Sequence, residues 1–107
     1  MKSVSATELS VWLADEGREP PILLDVREPW ETQVCRIEGS DLVPMQALPA
    51  RLHELDPGRP VVCICHHGGR SMHVAMFLAR QGFENVYNLT GGVDAWARQV
   101  DAAMPTY

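Results

Sequence analysis

Three short apolar runs constrain this chain more than any other feature: Ile22-Leu23-Leu24, Val61-Val62-Cys63-Ile64 and Val86-Tyr87-Asn88-Leu89. The first two are apolar at consecutive positions rather than alternate ones, the pattern of strands covered on both faces. Between the runs lie helix-period segments. Ser5-Ala6-Thr7-Glu8 is a capping box that opens a helix running to about Glu16, with Leu9, Trp12 and Leu13 on its apolar face and Gly17 as a left-handed stop. Arg27 to Glu31 forms a short helix with Pro29 in its first turn. Asp41 to Pro44 is a short strand cut off by the proline, and Leu48 to Leu55 is helical, followed by the turn Asp56-Pro57-Gly58-Arg59. Ser71 to Gln81 is apolar around much of its circumference, which predicts a buried helix ended by Gly82. Thr90-Gly91-Gly92 leads into a last helix from Val93 to about Val100. Strands alternating with helices at this spacing imply an α/β domain spanning residues 1–107, a small and mostly parallel central sheet with helices on both faces.

With 107 residues, 46% of them hydrophobic, the chain can bury a core without staples. A formal charge of -5 argues against nucleic acid or an anionic membrane as the main partner. The start of the chain lacks the apolar core of a signal peptide, and no apolar run is long enough to span a bilayer. Three cysteines (Cys35, Cys63 and Cys65) are an odd number, expected as free thiols in a reducing cytoplasm.

In such sheets ligands bind beyond the carboxyl ends of the strands, where Cys65 follows the run Val61–Ile64. His66, His67, Gly68, Gly69 and Arg70 form the strand-to-helix loop, and Ser71 opens the helix. The two glycines let the backbone curl so that amides point inward, the helix aims its positive end at the same point, and Arg70 adds a full charge. A thiol held there is expected to favour the thiolate and act as a nucleophile at neutral pH, and an anionic substrate is drawn to the same cradle.

Neither a metal site nor a cofactor is expected. Cys63, Cys65, His66 and His67 are ligand types, but structural zinc sites need pairs two to four residues apart with a second pair far along the chain. Cys63 reads as a small apolar side chain in a buried strand. Phosphate chemistry is the nearer rival. Tyrosine phosphatases and low-molecular-weight arsenate reductases place five residues between cysteine and arginine. Here four stand between Cys65 and Arg70, a smaller ring suited to one sulfur atom bonded to the cysteine.

Cys65-His66-His67-Gly68-Gly69-Arg70-Ser71 resembles the C-x-x-G-x-R-[ST] active loop of single-domain rhodaneses. Three further segments resemble that family in the right order: Asp25-Val26-Arg27-Glu28-Pro29-Trp30-Glu31, then Ile37-Glu38-Gly39-Ser40 with Val43-Pro44, then Leu89-Thr90-Gly91-Gly92 with Trp96. Together they cover the chain from about Ser3 to Trp96. Arg36 stands where the family usually has histidine, a change expected to alter the rim near the loop.

The resemblance implies a sulfurtransferase in which Cys65 takes a sulfane sulfur from thiosulfate or a related small anionic donor. The resulting persulfide passes its sulfur to a thiophilic acceptor: cyanide, a thiol or a carrier protein. It also implies that Asp25 and Arg27 brace the loop. Physically, the ring of amides from His66 to Ser71 is suited to an anionic persulfide. The alternatives are a catalytically idle rhodanese-like binding module or, against the loop length, a phosphatase or arsenate reductase. His66 and His67 are expected either to tune the loop or to point into solvent. Met45, Met72 and Met76 are expected as core filler, and Cys35 as unreactive.

Overall fold

The computed structural model describes residues 1–107. Five strands, β1 (Lys2–Val4), β2 (Ile22–Asp25), β3 (Asp41–Leu42), β4 (Val61–Ile64) and β5 (Val86–Leu89), form one sheet in the order β1-β5-β4-β2-β3. Every pairing is parallel, with Leu24 opposite Cys63 and Cys63 opposite Asn88.

The consecutive apolar residues of β2 and β4 follow from a core on each face. Ile22, Leu24, Val61 and Cys63 point into one, where Val74, Ala75 and Leu78 of α4 (Gly69–Arg80) cover them. Leu23, Val62 and Ile64 point into the other, against Leu9 and Trp12 of α1 (Ala6–Ala14) and Val93 and Trp96 of α5 (Gly92–Gln99). Since successive strand side chains alternate between faces, a strand with two cores must be apolar throughout. No helix is long and apolar enough to cross a membrane.

Several sequence expectations are corrected. β1 was not anticipated: only Val4 of its three residues is buried, and its partner β5 lies at the far end of the sequence. Ser5 does cap α1 through a full capping box, but the helix ends at Ala14. Asp15 turns extended there and its carboxylate accepts from the Gly17 amide, while Gly17 stays out of the left-handed region. The 48–55 region is a four-residue helix, α3 (Leu48–Arg51), between two 3-10 turns, with Leu48 buried and Leu52 and Leu55 packed on the core. Helix α2 (Pro29–Val34) has Pro29 at its start, as expected, and runs three residues past Glu31.

Helix α4 begins at Gly69, two residues before the predicted Ser71, because Gly68 at φ +106° supplies the left-handed cap. It is buried on one side only. Met72 and Met76 are exposed, as is Met45, so these three methionines are not core filler. Gly82, at φ +93°, takes the left-handed conformation expected of it just beyond the helix.

Candidate active site around Cys65

Cys65 leaves the end of β4 with its side chain in the α4 core, 1% exposed. Its Sγ accepts from the Gly68 amide at 3.1 Å and lies 3.2 Å from Ser71 Oγ. The amides of Gly69, Arg70 and Ser71, in the first turn of α4, donate to no protein acceptor, as helix geometry leaves them. Sulfur therefore sits at a helix N-terminus beside donors that are still free.

A neighbouring strand and a helix fix the loop's shape. Asn88 of β5, 2% exposed, donates through Nδ2 to Gly68 O at 3.2 Å and accepts from Ser71 Oγ at 2.5 Å. The Ser71 hydroxyl has one proton and two acceptors in reach, Asn88 Oδ1 and Cys65 Sγ. On the other face, the amides of Val93 and Asp94 at the start of α5 donate to Cys65 O and His66 O at 3.0 and 3.1 Å. Gly92 allows that approach: a Cβ there would stand 2.3 Å from Cys65 O, and its φ is +59°.

Charged groups ring the loop. Arg70 places both terminal nitrogens on Glu31, at 2.8 and 2.7 Å. These bonds hold the Glu31 carboxyl down at about 2, although burial alone would raise it. Arg27, fully buried, grips both Asp25 oxygens, donates to Cys35 O at 2.8 Å and reaches the Tyr107 hydroxyl at 3.0 Å. Burial works against its charge, and the bonds to Asp25 and Tyr107 outweigh that and leave it raised. Burial pushes the Cys63 thiol up to about 12, with a smaller push from Cys65, and leaves it inert in its strand.

His66 is stacked between His67, ring centroids 3.9 Å apart, and Tyr107, at 3.8 Å and 8°. Burial first, then the neighbouring His67, keeps its imidazole below the ordinary range and hence neutral at pH 7. Neutrality lowers the penalty of its Nε2, which is buried without a hydrogen-bond partner. His66, His67 and Asp94 each place one ligand atom within 4.8 Å of the others. The two rings are stacked, however, and Asp94 Oδ2 already accepts from Arg98 at 2.9 Å, so stacking and ion pairing account for the cluster.

The rhodanese-like domain profile matches residues 5–99, which hold the loop and the Arg70–Glu31 pair. The chain belongs to the rhodanese-like domain family. It is 37% identical over 98 residues to a sulfurtransferase of Allochromatium vinosum, covering 92% of this chain and 90% of that protein. It is 40% identical over 89 residues to the rhodanese-like/PpiC domain-containing protein 12, chloroplastic, of Arabidopsis thaliana, where the match covers 79% of this chain and spans 30% of the longer relative. The crystal structure of a rhodanese-like domain protein from Staphylococcus aureus superimposes with a TM-score of 0.84 at 29% identity, covering 100% of this chain and 99% of that one.

In this rhodanese-like domain the predicted loop residues Cys65 to Ser71 come together around the sulfur. Arg70 is paired with Glu31. His66 faces Tyr107 rather than solvent, whereas the His67 side chain is 66% exposed. Asp25 and Arg27 do not touch the loop. They organise residues 27–35 and reach Arg70 and His66 through Glu31 and Tyr107: Arg27 donates to Glu31 O and to the Tyr107 hydroxyl, and Tyr107 contacts both Glu31 and His66. Arg36 lines an open hollow with Leu13, Trp96 and Met104 and makes no hydrogen bond or ion pair with the loop.

Sequence reasoning missed Glu31 as the partner of Arg70, and also Asn88 and Tyr107. The polar Asn88 inside the apolar run Val86–Leu89 was a signal for the second. Nothing local marks Tyr107.

Proposed function

We propose that this domain carries sulfur as a persulfide on Cys65, loaded from thiosulfate or a related sulfane donor and unloaded to a thiophilic acceptor. The observation that carries the reading is the thiol at the start of α4, with Gly68 N–H on Sγ and three further amides without acceptors. The Cys65 thiolate attacks the outer sulfur of thiosulfate, the S–S bond of the donor breaks, and sulfite leaves with the electron pair. The new terminal sulfur is anionic, and the free amides of Gly69, Arg70 and Ser71 are the donors for it. Cyanide or a thiolate then attacks that sulfur and returns the Cys65 thiolate.

The Ser71 proton is suited to follow this cycle. It turns toward Sγ when the sulfur is charged and toward Asn88 Oδ1 when it is not. Arg70 keeps its charge and three N–H groups while paired with Glu31, so attraction of the anionic donor is shared between that guanidinium and the helix amides. The thiol is 1% exposed, so the donor reaches it as side chains at the mouth give way. Exposed Met45 and Met72 near the start of α4 offer an adaptable apolar surface for a larger acceptor.

Intact mass before and after thiosulfate tests the reading. Wild type is expected to gain one sulfur, about 32 Da for the single atom added to the nucleophile. Cyanide removes it, and Cys65→Ser gains nothing. A wild-type protein that no thiosulfate, persulfide or mercaptopyruvate-like donor loads would instead be a binding module.

A further inference from the structure

Tyr107 belongs to none of the sequence motifs, yet its side chain joins three parts of the site. Its hydroxyl lies 3.0 Å from Arg27 Nη1 and 2.8 Å from Glu31 Oε1. Arginine can only donate and an ionised carboxylate can only accept, so the phenol accepts from Arg27 and donates to Glu31. Burial raises the phenol to about 12, which keeps that proton in place at neutral pH. The ring lies flat on His66, with the edge of Trp30 against it at 5.7 Å. Between Tyr107, Pro105, Cys35 and Val93 no room is left for a water.

Glu31 is thereby saturated. Oε1 accepts from Tyr107 and Arg70 Nη2, and Oε2 from the Glu28 amide and Arg70 Nη1. A carboxylate has about four acceptor sites, and all are taken. Its orientation is over-determined, and with it that of Arg70, whose side chain is 40% exposed and otherwise free to swing into solvent. Three of the five guanidinium N–H groups are not used by Glu31. Cys65 lies near enough for a charge on its sulfur to favour the Arg70 cation.

We propose that Tyr107 is a positioning residue: by closing the hydrogen-bond set of Glu31 it holds the Arg70 guanidinium at a fixed place beside Cys65, and so sets how strongly the site favours anionic over neutral reagents. The inference rests on Cys65 being the nucleophile of the proposed sulfur transfer. Fixing a charge where the reagent arrives removes the ordering cost at the moment of binding.

Alkylation of Cys65 reads this without any sulfur transfer. Rates with iodoacetate, an anion, and iodoacetamide, its neutral counterpart, are measured on the Cys65 peptide for wild type, Tyr107→Phe, Arg70→Ala and the double variant. Tyr107→Phe keeps the stacked ring and removes only the hydroxyl. The iodoacetate-to-iodoacetamide ratio is expected to fall at least threefold in Tyr107→Phe. In the Arg70→Ala background the same change should alter it by less than 1.5-fold, because the effect runs through Arg70. For thiosulfate, KM should rise several-fold with kcat within twofold. An unchanged or increased ratio in Tyr107→Phe, or an equal fall with and without Arg70, overturns the proposal. A changed ratio in a protein that no thiosulfate, persulfide or mercaptopyruvate-like donor loads would leave the positioning role standing and remove the sulfurtransferase reading.

Discussion

Buried charge decides much at the scale of single residues. Arg27 is fully buried, and its partner Asp25 is 1% exposed. Removing one member of such a pair leaves an uncompensated charge and costs about 3–5 kcal/mol, far more than an exposed pair contributes. Asp25→Ala is expected to lose that much in urea unfolding, whereas Glu54→Ala, breaking the exposed Arg51–Glu54 pair, should leave the urea midpoint almost unchanged. Cys63 and Cys65 show the same principle in a second form. They are two residues apart and both buried, but one is enclosed by hydrocarbon in its strand and the other meets the Gly68 amide and the Ser71 hydroxyl. Identity of side chain says little about reactivity; the donors around the sulfur set it.

At the scale of elements, α5 approaches the loop closely enough to require glycine at the contact. An alanine at Gly92 would bring Cβ to 2.3 Å from Cys65 O, 2.4 Å from His66 O, and would hold φ at +59°. The left-handed conformation alone costs about 1–2 kcal/mol. Displacing the loop by an ångström is worth on the order of 100-fold in rate. Gly92→Ala is therefore expected to lower thermal stability by more than the left-handed conformation alone would, and sulfur loading of Cys65 by about two orders of magnitude, measured by mass analysis over time.

Which elements were legible follows from the same physics. Strands β2 and β4 announced themselves because two cores force apolar residues at every position, and α4 because Val74, Ala75, Phe77 and Leu78 recur at helical spacing before Gly82. The loop was legible because its chemistry is contiguous. β1 was not, since a three-residue edge strand with one buried side chain carries no period. Nor were the Glu31–Arg70 pair and the Tyr107 contacts, because they join residues 39 and 76 positions apart and leave no local trace. The start of α4 was misplaced by two residues, as a left-handed glycine cap makes no side-chain signature.

For the molecule as a whole, the charged ring sets a stability profile with pH. Glu31 titrates near 2 when folded and in the ordinary carboxylate range when unfolded. A depressed folded value means stability present above about pH 4.5 and lost as pH falls toward 2. The shift corresponds to up to about 3 kcal/mol by 1.36 kcal/mol per unit, reduced by the solvent that reaches Arg70. Tyr107 works in the opposite direction. Its folded value of about 12 lies above the unfolded one near 10, so its contribution is complete below pH 10 and fades as pH rises through 12. Urea midpoints are expected to be flat from pH 5 to 9 with respect to these two groups. Glu31→Gln should flatten the acid limb and Tyr107→Phe the alkaline one.

The loop is clamped from both sides of the sheet. Its sulfur and α4 belong to one core, while the carbonyls of Cys65 and His66 are held by the first turn of α5 over the other. Neither half can assemble the site alone. During refolding, thiol protection and sulfur loading should therefore appear only once both cores have formed, so that recovered activity reports on the completed sheet and not on either half.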